Sequence, residues 1–411
     1  MAGKSPDEAA FFWTGGPIPV APRTWFASVF SGAVAFDTDE GLLLVDTGLM
    51  RLSPALAGLL RQETAAPVHT AIYTHGHVDH AFGLEAFLLP EQPSPRIIAH
   101  RNISARFERY RRTARHNRTL NARQFGGAVS EAVRKEYDTF GAPSLPPTEL
   151  FDDRLDIEVG GVRFELHHCR GETDDHTWIY CPERGVLCTG DLFIWGVPNA
   201  GNPQKAQRYP GDWARGLREM AATHPRTLCP GHGGAVVDDP ALIQRMLIET
   251  ADFLDTIVER TIALLEEGSP PHVDIVRNIE LPVSDSPWLQ PIYDDAEFIV
   301  RNVIRHYAGW FSGRPSELKP AARPSVALEI AQLAGGAKAL LSRARHLAEG
   351  GDLPLACHLA DYALEADPDS ELIKYGVAAI YDERAAEETS LMAINLFRSA
   401  AAYSKEGRPF A

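Results

Sequence analysis

The sequence predicts an α/β domain followed by an all-α region, and three observations lead to this prediction. Up to residue 235, short apolar segments typical of strands alternate with segments typical of helices. A cluster of glycine and proline at Gly268–Pro271 then follows a long amphipathic helix predicted over 241–267. From residue 326 onwards, apolar residues recur only at helical spacing. We therefore expect a first domain over 1–270, a connector over 271–325 and a helical domain over 326–411.

The predicted elements follow this division in chain order. Ser28–Phe36 and Gly41–Asp46 are predicted as paired strands around a polar turn, and the apolar strand Val68–Tyr73 follows them. The other predicted elements of the first domain are helices at Ser53–Glu63 and 241–267, a polar helical insertion at 102–140, and strands at Arg96–Ala99, Arg163–His168, Thr177–Cys181, Val186–Cys188 and Thr227–Cys229. The Pro-rich connector contains one predicted helix near 295–308.

Charge and composition exclude several classes of protein. The formal net charge of −15 at pH 7 argues against nucleic acid as a partner, because phosphate binding depends on Lys and Arg. No apolar run approaches the ~18 residues that a bilayer span needs. The five cysteines include no Cys-x-x-Cys pair, and the N-terminus lacks the hydrophobic stretch of a secretory signal. We therefore expect a cytoplasmic protein with reduced thiols and no membrane span.

The Arg-rich segment Arg101–Arg123 is the local exception to the acidic composition. The sequence leaves two interpretations of this segment open. It forms either a solvated helix face or a basic rim that attracts an anionic substrate towards a cleft.

The strongest chemical signal is a cluster of ligand-type side chains directly after the strand Val68–Tyr73. His75, His77, Asp79 and His80 fall within six residues. Imidazole suits zinc, and a neighbouring carboxylate suits a second divalent ion. Burying these groups without partners would cost several kcal/mol, roughly 2–7 each, so a purely structural role is not favoured.

Three further residues complete a possible two-metal centre. Glu172, Asp191 and His232 each follow a predicted strand and lie beside glycine, which allows the close backbone approach that a metal loop needs. Alone, each of them fits an ordinary cap or turn residue. Together with the first cluster, they predict a metal site.

The order and local contexts of these residues resemble the metallo-β-lactamase superfamily, whose signature is H-x-H-x-D-H followed by later His, Asp and His positions. The resemblance implies an αββα sandwich and two zinc ions per chain. It implies that His75, His77 and Glu172 hold one zinc, that Asp79, His80 and His232 hold the other, and that Asp191 bridges both. Asp79 and Asp191, the carboxylates of the second set and of the bridge, are the predicted catalytic residues. Asp46, in Val45–Gly48, and His176 are predicted to support the ligands from behind.

Glu172 departs from the common pattern, which has His at this position, and is similar to the alkylsulfatase branch of the superfamily. Tyr307–Pro315 also resembles the Tyr-x-Gly-Trp-Phe-x-Gly-x-Pro motif of alkylsulfatases. The resemblance implies hydrolysis of a sulfate ester by a hydroxide shared between the metals, and a homodimer formed through the helical domain. Two departures remain: Asp191 stands where alkylsulfatases have Glu, and their sterol-carrier-like C-terminal domain is not expected, which favours shorter or different esters.

Binding of a small anionic ester requires donors near the metals. The segment after Asp191 offers four candidates for a sulfate clamp: Asn199, Asn202, Lys205 and Arg208. Tyr137 is a further candidate. A solvated loop is the other interpretation of this segment.

Three alternative functions also stay open: a lactonase, thioesterase or phosphodiesterase on the same scaffold, a single-iron dioxygenase, and a partner-binding module with a vestigial metal site.

Overall fold

The computed structural model describes residues 13–126, 143–408 and 410. These residues form two units. The first unit contains the described parts of Met1–Ala114, Thr139–Pro270 and Asp274–Gly309, and the second contains those of Arg115–Asp138, Pro271–Val273 and Trp310–Ala411. The helix near 295–308, expected within the connector, belongs to the first unit.

Two β-sheets form the centre of the first unit. The seven strands of the first sheet lie in chain order: β1 (Gly15–Ala21), β2 (Thr24–Val29), β3 (Ser31–Thr38), β4 (Gly41–Val45), β5 (Val68–Ile72), β6 (Arg96–His100) and β7 (Glu149–Phe151). The five strands of the second are β8 (Arg154–Val159), β9 (Val162–His168), β10 (Thr177–Cys181), β11 (Val186–Ile194) and β12 (Thr227–His232). Neighbours are antiparallel up to β4 and from β8 to β11, and parallel from β4 to β7 and between β11 and β12.

The helices in chain order are α1 (Ser53–Leu60), α2 (Val78–Ala81), α3 (Ile103–Arg112), α4 (Ala114–Gln124), α5 (Pro210–Ala222), α6 (Pro240–Glu266), α7 (His272–Asn278), α8 (Ala296–Ala308), α9 (Pro315–Leu318), α10 (Arg323–Ala334), α11 (Ala337–Glu349), α12 (Leu353–Ala366), α13 (Glu371–Glu387) and α14 (Leu391–Lys405). Single 3₁₀ turns lie at Leu84–Phe87 and Pro287–Leu289. Helix α6 begins where Asp239 accepts a hydrogen bond from the Leu242 amide (3.0 Å) and Pro240 occupies the first turn. In the described residues, no helix is both long and apolar enough to cross a bilayer.

Three apolar cores explain the layered arrangement of the first unit. The core between the sheets contains side chains such as Phe36 and Phe164, whose rings meet edge to face at 5.1 Å. A second core packs the other face of the first sheet against α1 and α3. A third, which includes the fully buried Trp213, packs α5, α6 and α8 against the second sheet. The αββα sandwich predicted for the first domain is confirmed.

For two of the strands that differ from their predicted bounds, the structure shows the physical reason. The predicted strand Ser28–Phe36 is divided between β2 and β3, because Phe30 takes a φ of 84° that turns the chain back on itself. The strand predicted at Val186–Cys188 continues to Ile194 as β11, with every residue buried. This extension carries Asp191 inside the sheet.

The second unit is a helical assembly with an alanine-rich core. Its core includes Ala344, Ala356, Ala360 and Ala378, whose small side chains allow the helices to approach closely. The end of α4 also belongs here: Asn395 donates to the Gln124 carbonyl at 2.8 Å, and the guanidinium of Arg123 lies over the Tyr403 ring. Arg123 is therefore buried against aromatic rings and is not part of a solvated face.

Candidate metal centre

The seven predicted ligands meet at the carboxyl ends of strands. Four of them lie in segment 75–80, which runs from the end of β5 through α2. Glu172 lies between β9 and β10, Asp191 lies within β11, and His232 ends β12. The strands β11 and β12 are parallel neighbours, with Gly190 opposite Pro230 and Ile194 opposite His232, and this pairing brings Asp191 close to His232.

One group of possible ligand atoms consists of His75, His77, Glu172 and Asp191, all within 4.8 Å of one another. His75 Nε2 lies 2.8 Å from His77 Nδ1 and 3.6 Å from Asp191 Oδ2. His77 Nδ1 lies 3.8 Å from Glu172 Oε1. Two imidazole nitrogens and two carboxylates therefore converge on one small volume.

Asp79, His80 and His232 form the second group. Asp79 Oδ2 lies 3.6 Å from His80 Nε2 and 3.5 Å from His232 Nε2. Asp191 Oδ1 lies 3.1 Å from the same His80 nitrogen and 3.5 Å from that of His232. Asp191 thus turns one oxygen towards each group, as a bridging carboxylate would.

Unpaired polar atoms show that this arrangement fits metal ions. Glu172 Oε2 is buried and has no hydrogen-bond partner among the described residues, and His80 Nε2 and Asp191 Oδ1, which lie 3.1 Å apart, form no hydrogen bond of good geometry. Leaving such atoms unpaired costs about 1–3 kcal/mol each, and a bonded cation would remove that cost. Imidazole nitrogens with carboxylate oxygens are the donor set of zinc and related divalent ions.

Asp46 holds the ligand segment from behind, at a backbone φ of 57° directly after β4. Its Oδ1 accepts from the Thr74 amide at 2.8 Å, and its Oδ2 accepts from the Thr74 hydroxyl at 2.8 Å. The same Oδ2 lies 2.7 Å from His80 Nδ1, which leaves Nε2 of that ring facing the centre. His232 Nδ1 is held in the same way by the Phe30 carbonyl at 2.8 Å.

His176 also lies against the centre. Its ring stacks on that of His75 with centroids 4.4 Å apart, and its Nε2 accepts from the Asp191 amide at 3.1 Å. Two glycines admit this close packing. A Cβ at Gly190, where φ is 50°, would stand 2.7 Å from the His176 ring, and one at Gly231 would stand 2.1 Å from Asp191 Oδ1.

Sequence reasoning missed a buried ion pair that supports segment 75–80. Asp175 Oδ2 accepts from the Gly76 amide at 2.8 Å, and Asp175 Oδ1 accepts from Arg106 Nε at 2.7 Å. Arg106 also donates to Asp174. Asp175 is adjacent to the predicted support His176, which was a usable signal, but nothing in the spacing of Arg106 indicated that it turns inward.

The four predicted clamp residues lie in segment 199–208. Asn199 Nδ2 and Arg208 Nη2 both donate to Glu172 Oε1, the latter at 3.1 Å. Asn202 is buried, whereas Lys205 is partly exposed. Tyr137 lies outside the described residues.

Segment 199–208 is anchored by two buried polar residues that sequence reasoning also missed. Asp294 Oδ2 accepts from the amides of Gly201 (2.6 Å) and Asn202 (3.3 Å). Asn302 of α8 donates to the Arg208 carbonyl at 2.9 Å. No motif marks either anchor, because each acts on backbone atoms about 90 residues away in sequence.

Burial and charge shift the protonation of the centre. Burial, with the neighbouring positive groups, lowers the pKa of His75 and His77 well below the usual value. Burial also disfavours a charged His80, but the carboxylates, Asp191 first, outweigh it and raise its pKa well above the usual value. Burial and then Asp191 raise the pKa of Glu172, which Arg208 opposes. The crowding of carboxylates therefore favours protonated Glu172 and His80 in the metal-free centre, and a bound cation would take the place of those protons.

Comparisons with known proteins agree with this geometry. Residues 26–232, about half of the chain, match the model of the metallo-beta-lactamase superfamily, and residues 272–407 match that of alkyl sulfatase dimerisation. A linear primary-alkylsulfatase from Pseudomonas sp. is 26% identical over 356 residues, covering 82% of this chain and 67% of the relative. An (R)-specific secondary-alkylsulfatase from Pseudomonas sp. is 24% identical over 358 residues, covering 80% of this chain and 53% of the relative.

A solved structure shares the fold. The stereoselective inverting sec-alkylsulfatase Pisa1 from Pseudomonas sp. matches with a TM-score of 0.82 at 20% identity, over 95% of this chain and 65% of that one. The resemblance found in the sequence is thereby confirmed. The chain belongs to the metallo-beta-lactamase superfamily and is homologous to its alkylsulfatases.

Proposed function

We propose that the chain is a metal-dependent hydrolase that cleaves sulfate esters to an alcohol and sulfate. The observation that carries this proposal is the convergence of seven ligand-type side chains into two adjoining groups that share Asp191. The homology to alkylsulfatases supports the substrate class. The chain spans 67% and 53% of the lengths of these two relatives, so the activity of the whole protein is part of the proposal.

We assign two zinc ions to the centre. The residues that would hold them are His75, His77 and Glu172 for one, Asp79, His80 and His232 for the other, and Asp191 for both. When bound, such ions lower the pKa of water to about 7 and screen the charge of an anionic ester.

The side chains around the metals have distinct tasks in this proposal. Asp191 sets the separation of the two groups, since its oxygens point to different histidines. Asp79 is the more exposed carboxylate, and we assign it the task of orienting the attacking water and accepting its proton. Asp46 and His176 fix the rings of His80 and His75 and so keep the ligand atoms in place.

Segment 199–208 is the proposed side from which a sulfate group is bound. Burial, and then the neighbouring Arg208, lower the pKa of Lys205 to about 7. An arriving anion would favour the charged form of this amine, so binding and protonation would support each other. The participation of Asn199, Asn202 and Tyr137 in substrate binding stays a prediction.

The proposal is tested on the purified full chain with a substrate panel and a metal analysis. We expect about two zinc ions per chain, and release of inorganic sulfate from alkyl sulfates. His75→Ala should abolish that release, whereas His69→Ala, at a side chain 42% exposed on the preceding strand β5, should not. One iron per chain, or no sulfate release from any alkyl sulfate, would contradict the proposal.

A different ester or ether substrate is the second candidate. The observation that favours it is Asp191 itself, which stands where the alkylsulfatase pattern has Glu. In addition, the alpha subunit of a 2,4-dinitroanisole O-demethylase from Nocardioides sp. is 28% identical over 188 residues, covering 43% of this chain. The panel therefore includes a lactone, a thioester, a phosphodiester and this aryl ether. Turnover of one of these without sulfate release would select the second candidate.

We also propose a homodimer formed through residues 272–407, the region that matches the alkyl sulfatase dimerisation model. Among the described residues, eleven of the fifteen large apolar side chains that are exposed in the single chain lie in this region, including Leu333 at 90% and Trp310 at 74%. Size-exclusion chromatography with light scattering measures the mass of the full chain. A mass near 45.1 kDa, that of one chain, would contradict the dimer.

A further inference from the structure

Glu172 is bonded unequally at its two carboxylate oxygens. Oε1 accepts from Asn199 Nδ2 and from Arg208 Nη2, while Oε2 has no hydrogen-bond partner among the described residues. All three side chains are buried, with 3% of the Glu172 and Arg208 residue surfaces exposed. One oxygen is therefore occupied by the protein, and the other is left for a metal ion.

The guanidinium of Arg208 is fixed in this position. Nε donates to the Asn199 carbonyl at 2.7 Å, and Nη1 donates to the Ala206 carbonyl at 3.2 Å. Asn302 holds the backbone of the same residue, accepting from its amide at 3.4 Å and donating to its carbonyl at 2.9 Å. A guanidinium whose Nε and Nη1 are both held by backbone carbonyls is suited to a permanent partner rather than to gripping and releasing a substrate.

The negative charge of the first ligand group explains why Arg208 pairs with Glu172. A carboxylate in the third ligand position adds one negative charge that an imidazole would not, and the group already contains the Asp191 carboxylate. Two buried carboxylates sharing a site disfavour each other's ionisation, and a buried guanidinium favours it. Arg208 thus supplies the positive charge that a glutamate ligand requires and a histidine ligand would not.

We propose that Arg208, together with Asn199, is a positioning residue that makes Glu172 a metal ligand: it neutralises the carboxylate and holds Oε1 beside His77, with Oε2 left unbonded. The inference depends on the ligand set of the proposed function. It differs from the sulfate clamp predicted for the same residues, because it places their action on the metal rather than on the substrate.

The test is a double-mutant cycle read by zinc affinity. Zinc dissociation constants are measured for the full chain by competition with a chromophoric chelator, for wild type, Arg208→Met, Glu172→His and the double variant. In the wild-type background, we expect Arg208→Met to weaken one of the two zinc sites by about 10–100-fold, the usual cost of removing a partner of a ligand. In the Glu172→His background, we expect the same change to strengthen that site by about tenfold or more, because it removes a buried cation that has lost its carboxylate.

The reversal of sign distinguishes the proposal from the other roles of Arg208. Weaker zinc binding in both backgrounds would mean that Arg208 only supports segment 199–208, and would overturn the inference. Unchanged zinc binding in both, with a raised KM for an alkyl sulfate, would assign Arg208 to the substrate and would also overturn it. A wild-type chain that binds no zinc would refute the proposed function itself, which the other outcomes leave intact.

Two further variants keep the test decisive if Glu172→His does not fold. Arg208→Lys keeps the positive charge but not the planar set of guanidinium donors. We expect it to recover a substantial part of the zinc affinity that Arg208→Met loses. No recovery would contradict the role of charge compensation. Arg305→Met is the matched control. Arg305 donates to the Lys205 carbonyl of the same segment at 3.2 Å and to Asn302 Oδ1 of α8 at 3.1 Å, and no described hydrogen bond or ion pair joins it to Glu172. Its loss should leave zinc binding unchanged.

Discussion

The buried pair of Arg106 and Asp175 should contribute far more to stability than a surface pair of similar geometry. Arg106→Met would leave Asp175, 0% exposed, without its cation but still bonded to the Gly76 amide. Removing one partner of a buried pair costs about 3–5 kcal/mol. Arg154 and Asp156 meet at 2.8 Å with side chains 52% and 47% exposed, and Arg154→Met should cost about 0–1 kcal/mol.

The assay is denaturant unfolding of the full chain, followed by circular dichroism, for wild type and both variants. The pH dependence provides a second readout. Burial would raise the pKa of Asp175, but Arg106 outweighs it and holds that pKa below the usual value. A lowered folded-state pKa contributes stability above the unfolded value of about 3.9 and loses it as pH falls. The deficit of Arg106→Met should therefore shrink as the solution is acidified from neutral pH towards pH 3. Equal costs for the two variants at neutral pH would refute this reasoning.

Three further outcomes are expected at the centre. Gly231→Ala should abolish activity and lower the content of bound metal, because the new Cβ would stand 2.1 Å from Asp191 Oδ1. Gly211→Ala is the control, since its Cβ would meet no atom nearer than 3.9 Å, and it should keep both activity and metal. Equal metal content in the two variants would contradict this prediction. Zinc uptake by the metal-free protein should release protons, because carboxylates raise the pKa of His80 well above its usual value against the effect of burial, and zinc requires the neutral ring. Apparent zinc affinity should accordingly rise with pH until that ring is neutral. An indicator dye in weak buffer measures the protons released as zinc is added, and zinc binding without proton release would contradict this expectation. Removal of zinc by a chelator should lower the Tm and stop sulfate release, and both should recover when zinc is returned. The reason is that a metal that binds only the folded state stabilises that state. A metal-free chain with an unchanged Tm would contradict this prediction.

Periodicity and strand-end motifs were sufficient for much of the fold. The strand Thr177–Cys181 has its predicted bounds, and the long amphipathic helix differs from prediction by one residue at each end. The predicted strand Ser28–Phe36 contains the break between β2 and β3, because no local pattern indicates the positive φ of Phe30, whose carbonyl lies 2.8 Å from His232 Nδ1 in the folded chain. Strands β1, β7 and β8 were missed, since the first is proline-interrupted and the other two have short or charged patterns.

The convergence of the candidate ligands was predictable, but the residues that support them were only partly so. Asp46 and His176 stand in recognisable motifs beside the ligands, and both contact them in the structure. Arg106, Asp294 and Asn302 stand in no motif. Each forms hydrogen bonds to segments between 69 and 95 residues away, so the neighbouring sequence does not indicate which residue it will contact.

The amino-acid sequence alone determined which side chains are available for metal chemistry and the order in which strands present them. That information is local, because ligand types, neighbouring glycines and apolar strands lie within a few residues of one another. Only the tertiary structure decided that Asp191 turns an oxygen to each histidine group and that Arg208 lies on Glu172. Those relations depend on the parallel pairing of β11 with β12 and on the packing of α8 against segment 199–208, where burial excludes water and leaves the charged groups to pair with one another.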